Sequence, residues 1–333
     1  MMSSLLVGWI NLDIGKFILI VLVGLLSLLY LALRRCGPQG VRPTGWSQNL
    51  APYSVYKRHG LDLEIRKLQW EERFEAAKLI SQAHAYTGSW VNILEDIAPV
   101  SKDVKNSVYY SYTLADQNRQ TEHEMNEKDK HSVSKRIEAI TWFISRNLSM
   151  LSNNEHIYVI IDKQTKSICG FAMLVNSVVD THSIFDMLRV GLLSVPYVFG
   201  FKTLKRLLAV MDEFDTSEHS VLQQYYIGNK RYKRIHKTDK SNKTVELQPT
   251  LRLERVAVAP YLQGQGIGRW LMQTVGQVIQ SSQHDSLLVT QNERTVLWYK
   301  SFGWKLVRSE TLGLNSSFPF KNWTLMHARA KDE

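Results

Sequence analysis

Cysteine is scarce: among 333 residues only Cys36 and Cys169 carry a thiol. Two cysteines build no disulfide framework and offer no zinc-type spacing, so no metal is expected. The chain also lacks the Lys-Ser/Thr pair that follows the last glycine of a phosphate-binding P-loop. Its own glycine-rich stretch, Gln263-Gly264-Gln265-Gly266-Ile267-Gly268, runs on into Arg269-Trp270. A dinucleotide fingerprint needs a further glycine three places after Gly266, and Arg269 stands there. Both nucleotide-binding readings are poor fits. An acidic excess is missing too, with 41 Lys and Arg against 31 Asp and Glu.

What is present centres on Leu253 to Gln280. Val256-Ala257-Val258 is a short apolar run of the kind a buried strand supplies, and Pro260 closes it. After the glycines, Ile267, Leu271, Val275 and Val278 recur at helical spacing, with Met272 and Ile279 beside them. Glycines at alternate positions let the backbone bend where other residues resist and let a ligand approach the main chain. The first turn of the following helix offers free N–H groups and the positive end of a dipole, a setting suited to phosphate oxygens.

Val258-Ala259-Pro260 followed by Gln263, Gly266 and Gly268 resembles the V-x-P and Q-x-x-G-x-G pattern of the GNAT superfamily of acyl-CoA N-acyltransferases. A second segment resembles that family's N-x6-Y-x3-G-[F/W] motif, through Asn292, Tyr299, Gly303 and Trp304. Asn292 suits an N-cap with Glu293 favourable against the dipole, and Gly303 ends the helix before Trp304 opens a strand. The resemblance implies a GNAT α/β (α+β) fold, a mixed, mostly antiparallel central sheet flanked by helices. It also implies an N-acetyltransferase moving an acetyl group from acetyl-CoA, its cosubstrate, to a primary amine by direct attack in a ternary complex.

The same resemblance implies where the parts lie. Val256, Ala257 and Val258 occupy the place of the strand that offers backbone groups to pantetheine and the thioester carbonyl. Gln263, Gly264, Gln265, Gly266, Ile267, Gly268 and Arg269 hold the pyrophosphate, and Asn292 and Tyr299 belong to the cofactor side. Tyr299 matches the motif tyrosine whose hydroxyl acts as general acid toward the thiolate; its alternative is an aromatic packing the helix on the sheet. Glu254 is the candidate general base, because an ideal strand places it on one face with Val256 and Val258. A bulge would change that facing, and an ion pair with Arg252 or Arg255 is the rival role.

Charge is unevenly spread. Residues 1–60 hold six basic groups against one acidic, and residues 228–245 hold seven against one. The second cluster suits an anionic lipid surface or a solvated loop; a nucleic acid partner is disfavoured. Phe17 to Leu33 is uncharged and ends at Arg34-Arg35, so the expected organisation is a transmembrane anchor over 1–35 with the catalytic domain facing the cytoplasm. A linker over 36–60 and the GNAT domain over 61–330 follow, with an insertion at 177–249.

Within the domain, Leu61 to Leu68 alternates as a half-buried strand, and Glu71 to Ala83 and Ser134 to Leu151 read as amphipathic helices. Ile157–Ile161 and Ile168–Val175 form a hairpin. In the insertion, Ser183 to Phe201 is apolar but broken, suiting a membrane-surface segment or a lid, and Lys202 to Phe214 is a helix. Two alternatives to acetyl transfer stay open: a non-catalytic acyl-CoA-binding protein, and an acyltransferase acting on lipid or membrane-associated amines.

Overall fold

A computed structural model describes residues 46, 53–58, 60–99, 127–151, 153–176, 187, 189–228, 250–282, 284–314, 316 and 318–329. Eight strands form one sheet in the order β1-β2-β3-β4-β5-β6-β8-β7. They are β1 (Ser54–Arg58), β2 (Leu61–Lys67), β3 (Ile157–Asp162), β4 (Ile168–Asn176), β5 (Thr250–Val258), β6 (Asp285–Thr290), β7 (Lys305–Leu312) and β8 (Phe320–His327). Every neighbouring pair is antiparallel except β5 and β6. The helices are α1 (Arg73–His84), α2 (Gly88–Ile93), α3 (Glu127–Met150), α4 (Val195–Phe199), α5 (Phe201–Gly228), α6 (Ile267–Ser281) and α7 (Glu293–Lys300). The mixed sheet with flanking helices is the architecture expected from the sequence.

The central strands explain themselves. Ile157 to Ile161 are all buried, as are Phe171 to Val175 in β4, because helices cover both faces of the sheet there. α6 crosses from β5 to the parallel β6 and buries Ile267, Leu271, Met272, Val275 and Ile279, the stripe read from its sequence. Arg136, 1 % exposed, staples α3 to the end of α1 by donating to the carbonyls of Ala85 at 3.0 Å and Ala98 at 2.8 Å. This fixes the chain around His84.

Three expectations need correction. The stretch taken as linker, 36–60, contains β1, which pairs residue for residue with β2 across Gly60 (φ +77°). Trp46, from the same stretch, is buried against Trp70. The long insertion helix runs to Gly228 and not to Phe214, because its polar residues beyond Phe214 bond to strands of the sheet. The expectation of a single-pass membrane protein facing the cytoplasm is overturned: no helix among the described residues is long and apolar enough to cross a membrane. The two longest, α3 and α5, mix apolar and charged residues and turn an apolar stripe to the core. The run Phe17 to Leu33, Cys36 and most of 228–245 lie outside the described residues.

The segment expected as a membrane-surface element or lid packs inward only in part: Val195 is buried, while Tyr197, Val198 and Phe201 are exposed. Phe199 stacks on Phe143 at 5.1 Å and meets Trp142 edge-on at 5.1 Å. α5 then lies along the second half of the sheet, with Val221, Leu222 and Tyr226 buried against Leu287 and Met326.

Candidate active site

The site begins with an irregularity in β5. Met173 of β4 pairs with Glu254 and Phe171 pairs with Ala257, so β5 carries one extra residue at Arg255-Val256. Arg255 adopts φ +54°, a left-handed conformation that an arginine does not readily take. The extra residue reverses the alternation. Glu254 now shares a face with Ala257, while Val258, paired with Gly170, is on the other, which corrects the expectation of one common face.

The opposite edge of β5 opens at the same level. β5 and β6 pair from Thr250–Asp285 to Leu253–Leu288 and then stop, although β5 continues to Val258 and β6 to Thr290. Residues 254–258 therefore have no ladder partner on the β6 side. Gln263 closes the far end, its side-chain amide donating to the Val258 carbonyl at 2.9 Å.

The glycine turn follows directly. Gly264 has φ +78° and Gly266 φ +82°, and a side chain built on either would meet nothing within 4 Å. Gly266 caps α6, whose leading N–H groups at Ile267, Gly268 and Arg269 have no intrahelical partners. Gly268 plays a different part. A Cβ here would rest in ordinary contact, 3.4 Å from the Trp298 ring and 3.8 Å from Val258, so this position packs beside α7 and does not face open space. Ile267 is fully buried, so it offers the site only its backbone. Gln265 bonds back to the Tyr261 carbonyl at 2.8 Å, and the Arg269 guanidinium lies 5.9 Å from the centre of the Phe302 ring.

α7 is started as its sequence requires: the Asn292 side chain accepts from the Arg294 N–H at 3.0 Å. Tyr299 is 8 % exposed, with Trp298 at 4.9 Å and Trp304 at 6.4 Å. Its hydroxyl makes no hydrogen bond among the described residues, and burial pushes its pKa well above the usual tyrosine value.

Glu254 is held by two guanidinium groups. Arg252 Nε lies 2.6 Å from one carboxylate oxygen and Arg255 Nη2 3.5 Å from the other. Arg252 in turn reaches Glu218 of α5 at 3.0 Å. Glu254 and Glu218 raise the Arg252 pKa against the opposing effect of burial. On the far side stands His84, whose pKa burial and then Arg255 depress to about 4, leaving it neutral near pH 7. The ion pair that rivals a catalytic role for Glu254 is thus present.

Sequence reasoning missed the hairpin strand that braces the loop. The Tyr56 hydroxyl donates to the Gln265 carbonyl at 3.2 Å, the Trp270 indole donates to Ser54 at 2.8 Å, and the two rings lie 5.3 Å apart. The alternation of β2 continued backward across Gly60 was the available signal.

Against known proteins, residues 226–306 match the acetyltransferase (GNAT) domain family. No curated protein matches the chain. Among solved structures, it is similar to a Drosophila melanogaster polyamine N-acetyltransferase that forms N-acetylagmatine (11 % identity, 80 % of this chain and 100 % of that one, TM-score 0.38). It is similar also to a protein of the mosquito Aedes aegypti named arylalkylamine N-acetyltransferase 7 (13 %, 85 % and 98 %, 0.42). A third is Naa20 of Chaetomium thermophilum, held with a bisubstrate analogue (13 %, 80 % and 86 %, 0.34). Likeness at these scores carries no argument about acceptor. The matched span holds the bulged strand, the glycine turn and α7: over 226–306 the chain matches a GNAT acetyltransferase domain, and the enzyme class that this match supports is acyltransferase.

Proposed function

We propose that the protein transfers an acetyl group from acetyl-CoA to a primary amine by direct attack in a ternary complex. The observation that carries this reading is the coincidence of the β5–β6 opening at Leu253–Leu288 with the left-handed glycine turn one strand-end away. An extended pantetheine arm needs a strand edge to bond to, and a pyrophosphate needs a cluster of N–H groups. This chain offers both in sequence.

In this reading the free edge of Glu254 to Val258 binds the arm and directs N–H groups at the thioester oxygen as it gains charge. The amides from Gly264 to Arg269 hold the pyrophosphate. The acceptor nitrogen forms a bond to the acyl carbon, the carbon–sulfur bond breaks, the nitrogen loses a proton and the departing thiolate gains one. Tyr299 supplies the proton to sulfur, and its raised pKa keeps that proton in place at neutral pH. Glu254 receives the proton from the amine side. Arg252 and Arg255 hold the carboxylate in place for that step.

The purified chain, incubated with acetyl-CoA and a panel of amines covering peptide N-termini, lysine, polyamines, arylalkylamines and amino sugars, should release free thiol with at least one of them. Saturable binding of acetyl-CoA with no thiol release across the panel would favour a non-catalytic acyl-CoA-binding role instead.

A further inference from the structure

Two non-glycine residues among those described have positive φ: Lys166, in the exposed hairpin turn, and Arg255, in the middle of a sheet strand. A turn tolerates that conformation; a strand residue keeps it only when its surroundings over-determine it. The surroundings of Arg255 form a chain of alternating charge. Arg255 pairs with Glu254, Glu254 with Arg252, and Arg252 with Glu218. Glu218, Glu254 and Arg255 keep no more than 22 % of their side-chain surface exposed, so solvent screens these pairs less than it would surface ones.

The chain ends on a firm support. Around Glu218, α5 is tied to the sheet by Ser217 to Glu310, by Arg308 donating to Ser220 at 2.9 Å, and by Tyr226 to Thr250 at 3.1 Å. Thr250 opens β5 itself. Glu213, one turn earlier on α5, accepts from the Gly313 N–H between β7 and β8. The insertion helix is therefore fixed to β5, one of the two strands that border the opening, and to the edge strand β7.

We infer that the insertion helix α5 belongs to the catalytic apparatus, with Glu218 a positioning residue that acts through Arg252 and Glu254 to hold the left-handed bulge at Arg255 open. The bulge aims the strand edge at the thioester; without the clamp, Arg255 relaxes toward an ordinary strand conformation and the edge loses its aim. His84, from α1, faces the same group and is uncharged near pH 7, so it adds no competing charge. The effect on turnover rests on the acetyl-transfer reading. The effect on the bulge does not.

A strained residue gives the test its handle, because glycine takes φ +54° freely. Glu218→Gln and Arg252→Met should each speed hydrogen exchange of amides 254–258 in the ligand-free full chain by about tenfold, the scale of one strained residue. Each should lower kcat by about the same factor and change the KM for acetyl-CoA by no more than about threefold. In an Arg255→Gly background the added effect of either substitution should shrink to about twofold or less. Lys130→Ala, which cuts an exposed pair with Glu127 on α3, should change neither readout. Equal effects of Glu218→Gln with Arg255 or glycine at that position, or unchanged exchange at 254–258, would overturn the inference. The exchange experiment decides this even for an enzyme whose acceptor amine is still unknown, and a failure of acetyl transfer would show in the amine panel instead.

Discussion

Replacing Gly266 with valine separates the fold from the ligand site. Gly266 sits at φ +82° and ψ −1°, where an L-residue costs about 1–2 kcal/mol and a β-branched one lies at the upper end. Valine is also a poor N-cap, which adds up to about 1 kcal/mol. Among the described residues no atom lies within 4 Å of the added Cβ, so the Cβ itself meets no clash. The total, roughly 2–3 kcal/mol, lowers Tm by about 5–10 °C and leaves a folded protein at room temperature. In the acetyl-CoA reading the new side chain then occupies space that the pyrophosphate needs beside these amides. Loss of two charge-assisted hydrogen bonds, at about 1.5–3 kcal/mol each, weakens CoA by roughly a hundred- to ten-thousand-fold in calorimetry. Gly276→Ala, in the middle of the same helix with open space around it, is the control: binding holds and stability rises by up to about 1 kcal/mol. A folded Gly266→Val protein with wild-type affinity would refute the assignment of the loop.

Tyr299→Phe keeps the buried ring and removes the hydroxyl; kcat should fall by about ten- to a thousand-fold with acetyl-CoA affinity little changed, and full turnover in steady-state assays would make Tyr299 a packing residue. Tyr56→Phe removes the contact to Gln265 and should raise the KM for acetyl-CoA several-fold while sparing kcat; a matching loss in kcat would place Tyr56 elsewhere in the mechanism. His84, about 4 when folded against an ordinary 6.5, binds its proton more readily in the unfolded chain. Stability should therefore fall as pH drops from about 6.5 to 4, by on the order of 3 kcal/mol, with His327 acting in the same direction. Denaturant titrations of His84→Gln should show a flatter slope in that window; an unchanged slope would mean His84 is not the group responsible.

The parts that sequence made legible are those set by neighbours in the chain. The alternating glycines, the stripe of α6, the Asn292 cap and the central hairpin all follow from spacing over a few residues. The bulge does not, because it is defined by register against β4, and Glu254 and Val258 trade their common face for opposite ones through a partner eighty residues away. β1 was hidden by its shortness beside a proline-bearing stretch. The far half of α5 was hidden by Ser217, Glu218 and Ser220, polar residues that look like a helix end until their strand partners are known. Gly268 shows the same limit from the other side: the spacing marks a ligand glycine, while the structure gives it Trp298 and Val258 as neighbours.

Hydrogen exchange of the purified chain with and without acetyl-CoA tests the central claim most directly. The account predicts that the ligand slows exchange at two places together, the loop and first turn from Gln263 to Trp270 and the free strand edge from Glu254 to Val258. Protection confined to other elements, or none at saturating acetyl-CoA, would contradict it.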